Sequence, residues 1–342
     1  MAAQDPSPDL SDEVFVDMLY AQLLKRAPRP NEIASWTAKL GEGMSDRQAL
    51  RRFIASPEYK RLNEVVPGHA PGHFYSPVVN PEEIRDYWER SSQKDVEDLA
   101  GVPIDLEAMR ALWRRCRPFL QALRFGVEAG GATRYYTSDR RYPSGDAFVL
   151  AAMISDRRPQ RIVEIGSGFS TAAMLDALDA LGDESCQLTC IDPYPERLRS
   201  LMRPSDHRRV AIHGVRVQDV DLAVFDTLGS NDILFIDSSH VLKTGSDVHH
   251  ELFEILPRLA PGVIVHFHDI QFPFEYPREW VFAKRWSWNE IYAVRAFMAY
   301  NSRFSTIFFT DLFFQRCAAE LAGVDFGGKA VGGSLWIERV AP

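Results

Sequence analysis

Arg161-Ile162-Val163-Glu164-Ile165-Gly166-Ser167-Gly168-Phe169-Ser170-Thr171 is the stretch on which the fold of this 342-residue chain turns. An apolar run ends in two glycines set two apart, and Ala172, Ala173, Met174 and Leu175 continue beyond them. The pattern reads as a buried strand entering a tight turn that opens a helix. Gly166 and Gly168 permit backbone angles closed to other residues and let a ligand lie against the turn. Ser170 and Thr171 are placed to cap the helix. Cys190-Ile191-Asp192-Pro193 reads as a second strand ending in a carboxylate.

A pyrophosphate-binding loop carries a third glycine, and Thr171 stands in that place here. Glu164 would repel a diphosphate but attract an amino-acid ammonium group, and Asp192 suits the two hydroxyls of a ribose. The ligand these residues describe is S-adenosylmethionine.

The length suggests two domains, or one large domain with a helical attachment. Hydrophobic residues at 46% and charged residues at 25% are ordinary for a globular protein. A formal charge of −8 argues against a broad nucleic-acid surface, which needs clustered Lys and Arg. Cys116, Cys186, Cys190 and Cys317 lack metal-ligand spacing. The opening residues carry no secretory signal and no segment is apolar enough to span a bilayer, so the expected home is the reducing cytoplasm and no membrane partner is expected.

Residues 1–66 read as a small helical bundle, with a stripe at Phe15, Met18, Leu19, Leu23 and Leu24 and further helices around Trp36 and Phe53. The breaker-rich Pro67 to Gly72 opens a linker and helical cap region, residues 67–129. Residues 130–342 alternate strands and helices. After Asp192, strands are expected at Val210 to Val217, Asp232 to Asp237 and Gly262 to Asp269, with a helix from Gly245 to Leu256. Two more strands, Phe304 to Phe309 and Ser334 to Arg339, close the sheet antiparallel. The fold class is α/β, a Rossmann-like doubly wound sheet of seven mostly parallel strands, with a small N-terminal all-α domain.

Two resemblances follow. Phe15 to Arg26, Trp36 and Ser56-Pro57-Glu58-Tyr59 resemble a bacterial helical domain of unknown function related to phycobilisome-linker helices, which implies packing or docking rather than chemistry. Residues 130 to 340 resemble the class I S-adenosylmethionine-dependent methyltransferases through Glu164-Ile-Gly-Ser-Gly168, Asp192, Phe235-Ile-Asp-Ser-Ser-His240 and Pro261-Gly-Val-Ile-Val-His-Phe-His-Asp269. The most similar subgroup is common in bacterial gene clusters for small metabolites and surface glycans. The resemblance implies Glu164, Gly166 and Gly168 around the methionine part of the cofactor, Asp192 at the ribose, and Gln218 and Asp219 near the adenine edge. Ser170 and Asp237 complete the expected cofactor set.

The chemistry is expected at the ends of the fourth and fifth strands. Asp237, His268 and Asp269 are a candidate ligand set for a divalent cation. His268 stands where metal-dependent members of the class carry an acid, which favours Mn²⁺, Fe²⁺ or Zn²⁺ over Mg²⁺. In the metal-free alternative His268 or His240 removes the acceptor proton while Asp269 or Asp237 fixes the imidazole tautomer. His266 is expected to be a hydrogen-bonded core residue. The run Phe272, Phe274, Tyr276, Trp280, Phe282, Trp286 and Trp288 fits either an acceptor-stacking loop or a contact in a homo-oligomer. The function so read is O-methylation of a small molecule or glycan acceptor. A silent cofactor-binding scaffold and a metal-dependent hydroxylase-like enzyme on the same fold are the alternatives.

Overall fold

The computed structural model describes residues 11–63 and 69–341. The expected domain boundary after residue 66 and the opening residues lie outside the described residues. The chain divides into two compact units, Met1–Val78 and Val79–Pro342.

In the first unit, helices Asp12–Leu19, Pro30–Gly41, Asp46–Ala55 and Pro57–Asn63 enclose a core of Val16, Leu19, Tyr20, Leu24, Leu40, Ala49 and Phe53. The buried stripe therefore differs from the expected one. Met18 is 48% exposed while Val16 and Tyr20 turn inward, because Val16, Tyr20 and Leu24, four residues apart, share one face. The two ends of the family-like pattern meet: Arg26 pairs with Glu58 at 2.6 Å and with Glu32 at 2.8 Å, and Trp36 packs on Phe53.

The second unit is built on one sheet of seven strands: β1 Arg161–Ile165, β2 Gln187–Ile191, β3 Val210–His213, β4 Ile233–Ile236, β5 Ile264–His268, β6 Phe304–Phe309 and β7 Ser334–Arg339. Their order is β3-β2-β1-β4-β5-β7-β6, with β1 to β5 parallel, β7 antiparallel to β5 and β6 antiparallel to β7. β4 and β5 are buried along their whole length, as apolar strands covered on both faces must be. The helix Ser144–Arg157 packs against both Leu106–Ala122 and Phe169–Ala180, and Ala147 to Ile154 are buried all round. β3 is shorter than expected, stopping at His213 before a separate 3₁₀ turn at Val217–Asp219. The expected helix from Gly245 breaks into Asp247–His250, a π-turn at Glu251–Ile255 and a 3₁₀ turn ending at Arg258. Among the described residues no helix is long and apolar enough to cross a membrane.

Strand succession reverses at β1, which has β2 on one side and β4 on the other. Crevices open at the carboxyl ends of strands at such a point. The loop that leads into the unit's sheet is fastened by Arg134, whose buried guanidinium donates to Asp206 at 2.8 Å, Asp176 at 2.8 Å and Asp179 at 2.7 Å. Truncating one partner of such a buried cluster leaves several carboxylates uncompensated. Arg134→Ala is expected to cost about 3–5 kcal/mol, read from urea unfolding of the purified chain.

Candidate active site

The site grows from the register of β1 on β4. Ile165 pairs with Ile236, so the next residues on each strand, Gly166 and Asp237, face one another. Gly166 has φ +79°, and a Cβ there would lie 1.9 Å from the Asp237 carbonyl oxygen. Only glycine fits that turn. The turn is also tied to β2: Gly166 N–H donates to Ile191 O at 3.0 Å, and Ser167 N–H donates to Asp192 Oδ2 at 3.0 Å. Asp192 Oδ1 accepts from Tyr194 N–H at 2.7 Å, which fixes its carboxylate at the mouth of the crevice.

Two cavities meet here, and Gly166, Asp192 and Asp237 line both. The smaller, about 220 Å³, is walled by Tyr142, Ser167, Gly168, Ser170, Arg141 and Arg197. The larger, about 530 Å³, lies against Tyr194, Val217, Gln218, Ser238 and Asp247. Together they match the size range of small-molecule and cofactor sites. The Tyr142 hydroxyl is buried without a hydrogen-bond partner among the described residues, although it belongs to the smaller cavity's wall. A buried donor of this kind calls for a ligand acceptor.

Glu164, expected at the cofactor, lines neither cavity. It is fully buried beneath the turn, where Ser170 donates to Oε1 at 2.6 Å and Thr171 donates to Oε2. Burial pushes its carboxyl up to about 7 against these hydrogen bonds. Both hydroxyls hold Glu164, and Thr171 Oγ1 also accepts from the Gly168 N–H at 3.1 Å, so it still caps the helix, which starts earlier than expected, at Phe169. Gln218 lines the larger cavity and donates to Gly245 O at 3.0 Å, whereas Asp219 turns away into an ion pair with Arg216 at 2.9 Å.

At the ends of β4 and β5 the expected histidines and acids do converge. His240 Nε2 lies 3.5 Å from both Asp237 Oδ1 and Asp269 Oδ2, and His268 Nε2 lies 3.6 Å from Asp269 Oδ1. His240 Nδ1 donates to Glu290 Oε2 at 2.8 Å. Glu290 comes from the start of helix Glu290–Ala299, and sequence reasoning missed its role; the only signal was an acid closing the aromatic run. His240 and Asp269 both hold left-handed backbone, φ +60° and +54°. Such strain persists only where the surroundings over-determine it. Here the N–H groups of Asn289 and Glu290 both donate to the His240 carbonyl, and the Asn289 amide clasps the backbone of Leu242.

Burial opposes charge on His240, but its hydrogen bonds to Asp237 and Glu290 prevail and raise its pKa well above the usual imidazole value. Burial likewise opposes charge on Asp237, and His268 and His240 overcome it, holding that carboxyl below its ordinary value. Burial raises Asp269. His268 is pushed down by burial and up, on balance, by Asp237, Asp269 and Asp146. Asp146 is itself buried, accepts from Ser334 at 2.7 Å, and rises to about 6. His266 departs from expectation: it lies flat on Phe235 at 3.8 Å, both its nitrogens lack hydrogen bonds among the described residues, and burial keeps it neutral.

The expected metal trio does not fit. Among the described residues no group of three or more His, Cys, Asp or Glu side chains is arranged to hold a metal ion. His240 Nε2 stands 3.5 Å from an oxygen of each of the Asp237 and Asp269 carboxylates.

Residues 163–270 match the family described as "Methyltransferase domain", and residues 3–63 match a domain of unknown function. An uncharacterized protein of Archaeoglobus fulgidus is 30% identical over 168 residues, which span 48% of this chain and 75% of the relative. The chain belongs to the class I S-adenosylmethionine-dependent methyltransferases. Among solved structures, a putative O-methyltransferase from Klebsiella pneumoniae matches at TM-score 0.38 and 16% identity, covering 75% of this chain and 100% of its own. The O-methyltransferase TomG from Streptomyces achromogenes, in complex with S-adenosylmethionine, matches at TM-score 0.38 and 17% identity, covering 74% and 99%.

Glu164 offers a check on the turn's architecture. Its folded form keeps the proton to about pH 7 while the unfolded carboxyl releases it near 4.5. The native state therefore binds more protons across that window, and stability falls as pH rises through it, on the order of 3 kcal/mol in total. Glu164→Gln does not titrate, so the stability difference between the methyltransferase and this variant is expected to change by that amount between pH 4.5 and pH 8 in urea unfolding.

Proposed function

We propose that this methyltransferase moves the methyl group of S-adenosylmethionine to a hydroxyl oxygen of a small molecule or glycan. One observation carries the reading: Asp237 lines both cavities of the glycine-turn crevice and, through His240, belongs to the acid–histidine cluster at the ends of β4 and β5. A cofactor site and a proton-handling site thus share a side chain.

The larger cavity suits the nucleoside, with Asp192 at the ribose hydroxyls and Gln218 at the base. The smaller suits the amino-acid end, where the Tyr142 hydroxyl, Arg141 and Arg197 can take a carboxylate and Asp237 can face the ammonium. The bound cofactor supplies a sulfonium methyl, whose carbon–sulfur bond breaks as the carbon–oxygen bond forms, leaving a neutral thioether.

The chain's own residues manage the acceptor. The roles first expected of the histidines change: His240 has carboxylates at both ring nitrogens and so carries two protons, which suits stabilising negative charge rather than accepting a proton. Asp269, partly exposed and raised by burial, is the better base for the acceptor O–H proton, with His268 orienting it from behind. Helix packing and the crevice walls hold the two reactants in line, from which much of the rate would come. The hydroxylase-like alternative draws no support, since it needs a metal that the donor set does not fit.

Two outcomes test this. Tyr142→Phe should weaken S-adenosylmethionine about tenfold, the value of one hydrogen bond to a charged group, with thermal stability kept or raised because a buried hydroxyl without a partner is removed; titration calorimetry reads the first and scanning calorimetry the second. Incubation with methyl-labelled S-adenosylmethionine and a panel of phenols, sugars and sugar nucleotides should label an ether product. Its rate should fall at acid pH as Asp269 protonates, above the ordinary Asp value, and fall again well above pH 6.5 as His240 loses its proton. Label appearing in no panel member, or a rate that climbs through the His240 titration, contradicts the assignment.

A further inference from the structure

We propose that the loop from Arg278 to Trp288 seats the acceptor, and that the acceptor is a ring carrying an anionic group, a phosphate or a carboxylate, beside the hydroxyl that is methylated. The inference deepens the methyl-transfer reading and rests on it for placing that hydroxyl at Asp269.

A column of rings leads from this loop to the acid–histidine cluster. Trp288 packs on the His240 ring at 4.5 Å, and Trp286 stacks on Trp288 at 4.3 Å with 23° between their planes. Trp280 leans on both, at 5.4 Å and 5.5 Å. None of the three tryptophans is fully buried, so the column is open to the surface along its length. Its base is fixed on both sides. The Trp88 indole N–H donates to Tyr276 O at 3.0 Å, the Ile291 N–H donates to the Tyr276 hydroxyl at 3.3 Å, and the Asn289 and Glu290 N–H groups hold the His240 carbonyl. Ring faces held in this way suit a planar aromatic or the apolar face of a sugar.

The same loop gathers cations. Lys284 Nζ stands 4.5 Å over the Trp286 ring, Arg278 lies over Phe282 at 5.3 Å, and the exposed Arg285 has no ion-pair partner among the described residues. Glu279, whose Oε1 is 3.6 Å from Lys284 Nζ, is the one acid between residues 278 and 288. Arg285 holds left-handed backbone, φ +55°, a conformation that non-glycine residues keep mainly at ligand sites. Lys284 also lies near enough to Asp269 to oppose, with His268 and His240, the rise that burial gives that carboxyl. A chain with a formal charge of −8 repels anions as a whole, so any preference for one must come from such a local group of cations.

Ring and anion are coupled through Lys284. Its ammonium covers the Trp286 ring, and an anion that draws the ammonium aside bares that ring for stacking. A neutral ring has to displace the same cation from the π face with no ion pair in return. The seat therefore favours acceptors that bring both features.

Tryptophan fluorescence of the full chain, saturated with S-adenosylhomocysteine, reads this in two matched pairs of probes: phenol against para-hydroxybenzoate, and glucose against glucosyl phosphate. In at least one pair the anionic member is expected to bind about tenfold more tightly than the neutral one, the worth of a hydrogen bond to a charged group. The pair that shows it tells an aromatic carboxylate from a sugar phosphate. Lys284→Met should erase the preference and Lys284→Arg should keep it, while Trp286→Leu should weaken the anionic member; a thermal transition recorded for each variant confirms folding. Equal binding within both pairs, or no fluorescence change with any probe, would overturn the proposal. So would an anion preference that survives in folded Lys284→Met, or undiminished binding by folded Trp286→Leu. Should the preference hold and depend on Lys284 while labelled S-adenosylmethionine passes its methyl group to no acceptor, the methyl-transfer reading fails and the ring-and-anion seat stands.

Discussion

A side chain at position 166 and the carbonyl oxygen of Asp237 cannot occupy the same space. That exclusion, set by the pairing of β1 on β4, is the constraint from which the rest of the site follows. It brings the glycine turn within contact of the strand end that bears the acid centre. It also sets the turn beside β2, where the N–H groups of Ser167 and Tyr194 fix Asp192. A residue with a Cβ at 166 would push β1 from β4 and separate the two halves of the site at once.

Beside that contact stands an unusual density of buried charge. Two histidines and the carboxylates of Asp237, Asp269, Glu290 and Asp146 lie near one another in a region with little water, a costly arrangement for any group left unpaired. Mutual pairing of opposite signs offsets that cost, to which the strained backbone at His240 and Asp269 adds. Clusters that shift several pKa values in opposing directions mark functional sites more often than structural ones. Arg134 shows the contrast: it too gathers three carboxylates, but it serves to fasten a loop.

The strands of the second unit were legible because apolar runs of strand length alternate with helices, and β6 and β7 coincide with the expected segments. The order of glycine turn, Asp192, Asp237 and His268-Asp269 was legible for the same reason, since parallel topology places each at a carboxyl end. Three things were not. Glu164 looked like a ligand-facing acid, yet strand alternation pointed it under the turn toward the hydroxyls of Ser170 and Thr171. Asp219 follows Gln218 directly, but the 3₁₀ turn sends it to Arg216. Glu290 lies 50 residues from His240 in sequence, and only the docking of the Asn289 turn on the β4 loop joins them. Local pattern carries strand ends well; it carries long-range side-chain partners poorly.

The central claim is that the glycine turn and Asp192 form a nucleoside site whose other wall is Asp237. Calorimetric titration with S-adenosylmethionine of the wild-type chain and of a folded Gly166→Ala variant tests it most directly. One molecule bound per wild-type chain, with binding lost in the variant, is the predicted result. No heat of binding by the wild-type chain at millimolar ligand, or equal binding by both chains, would contradict it.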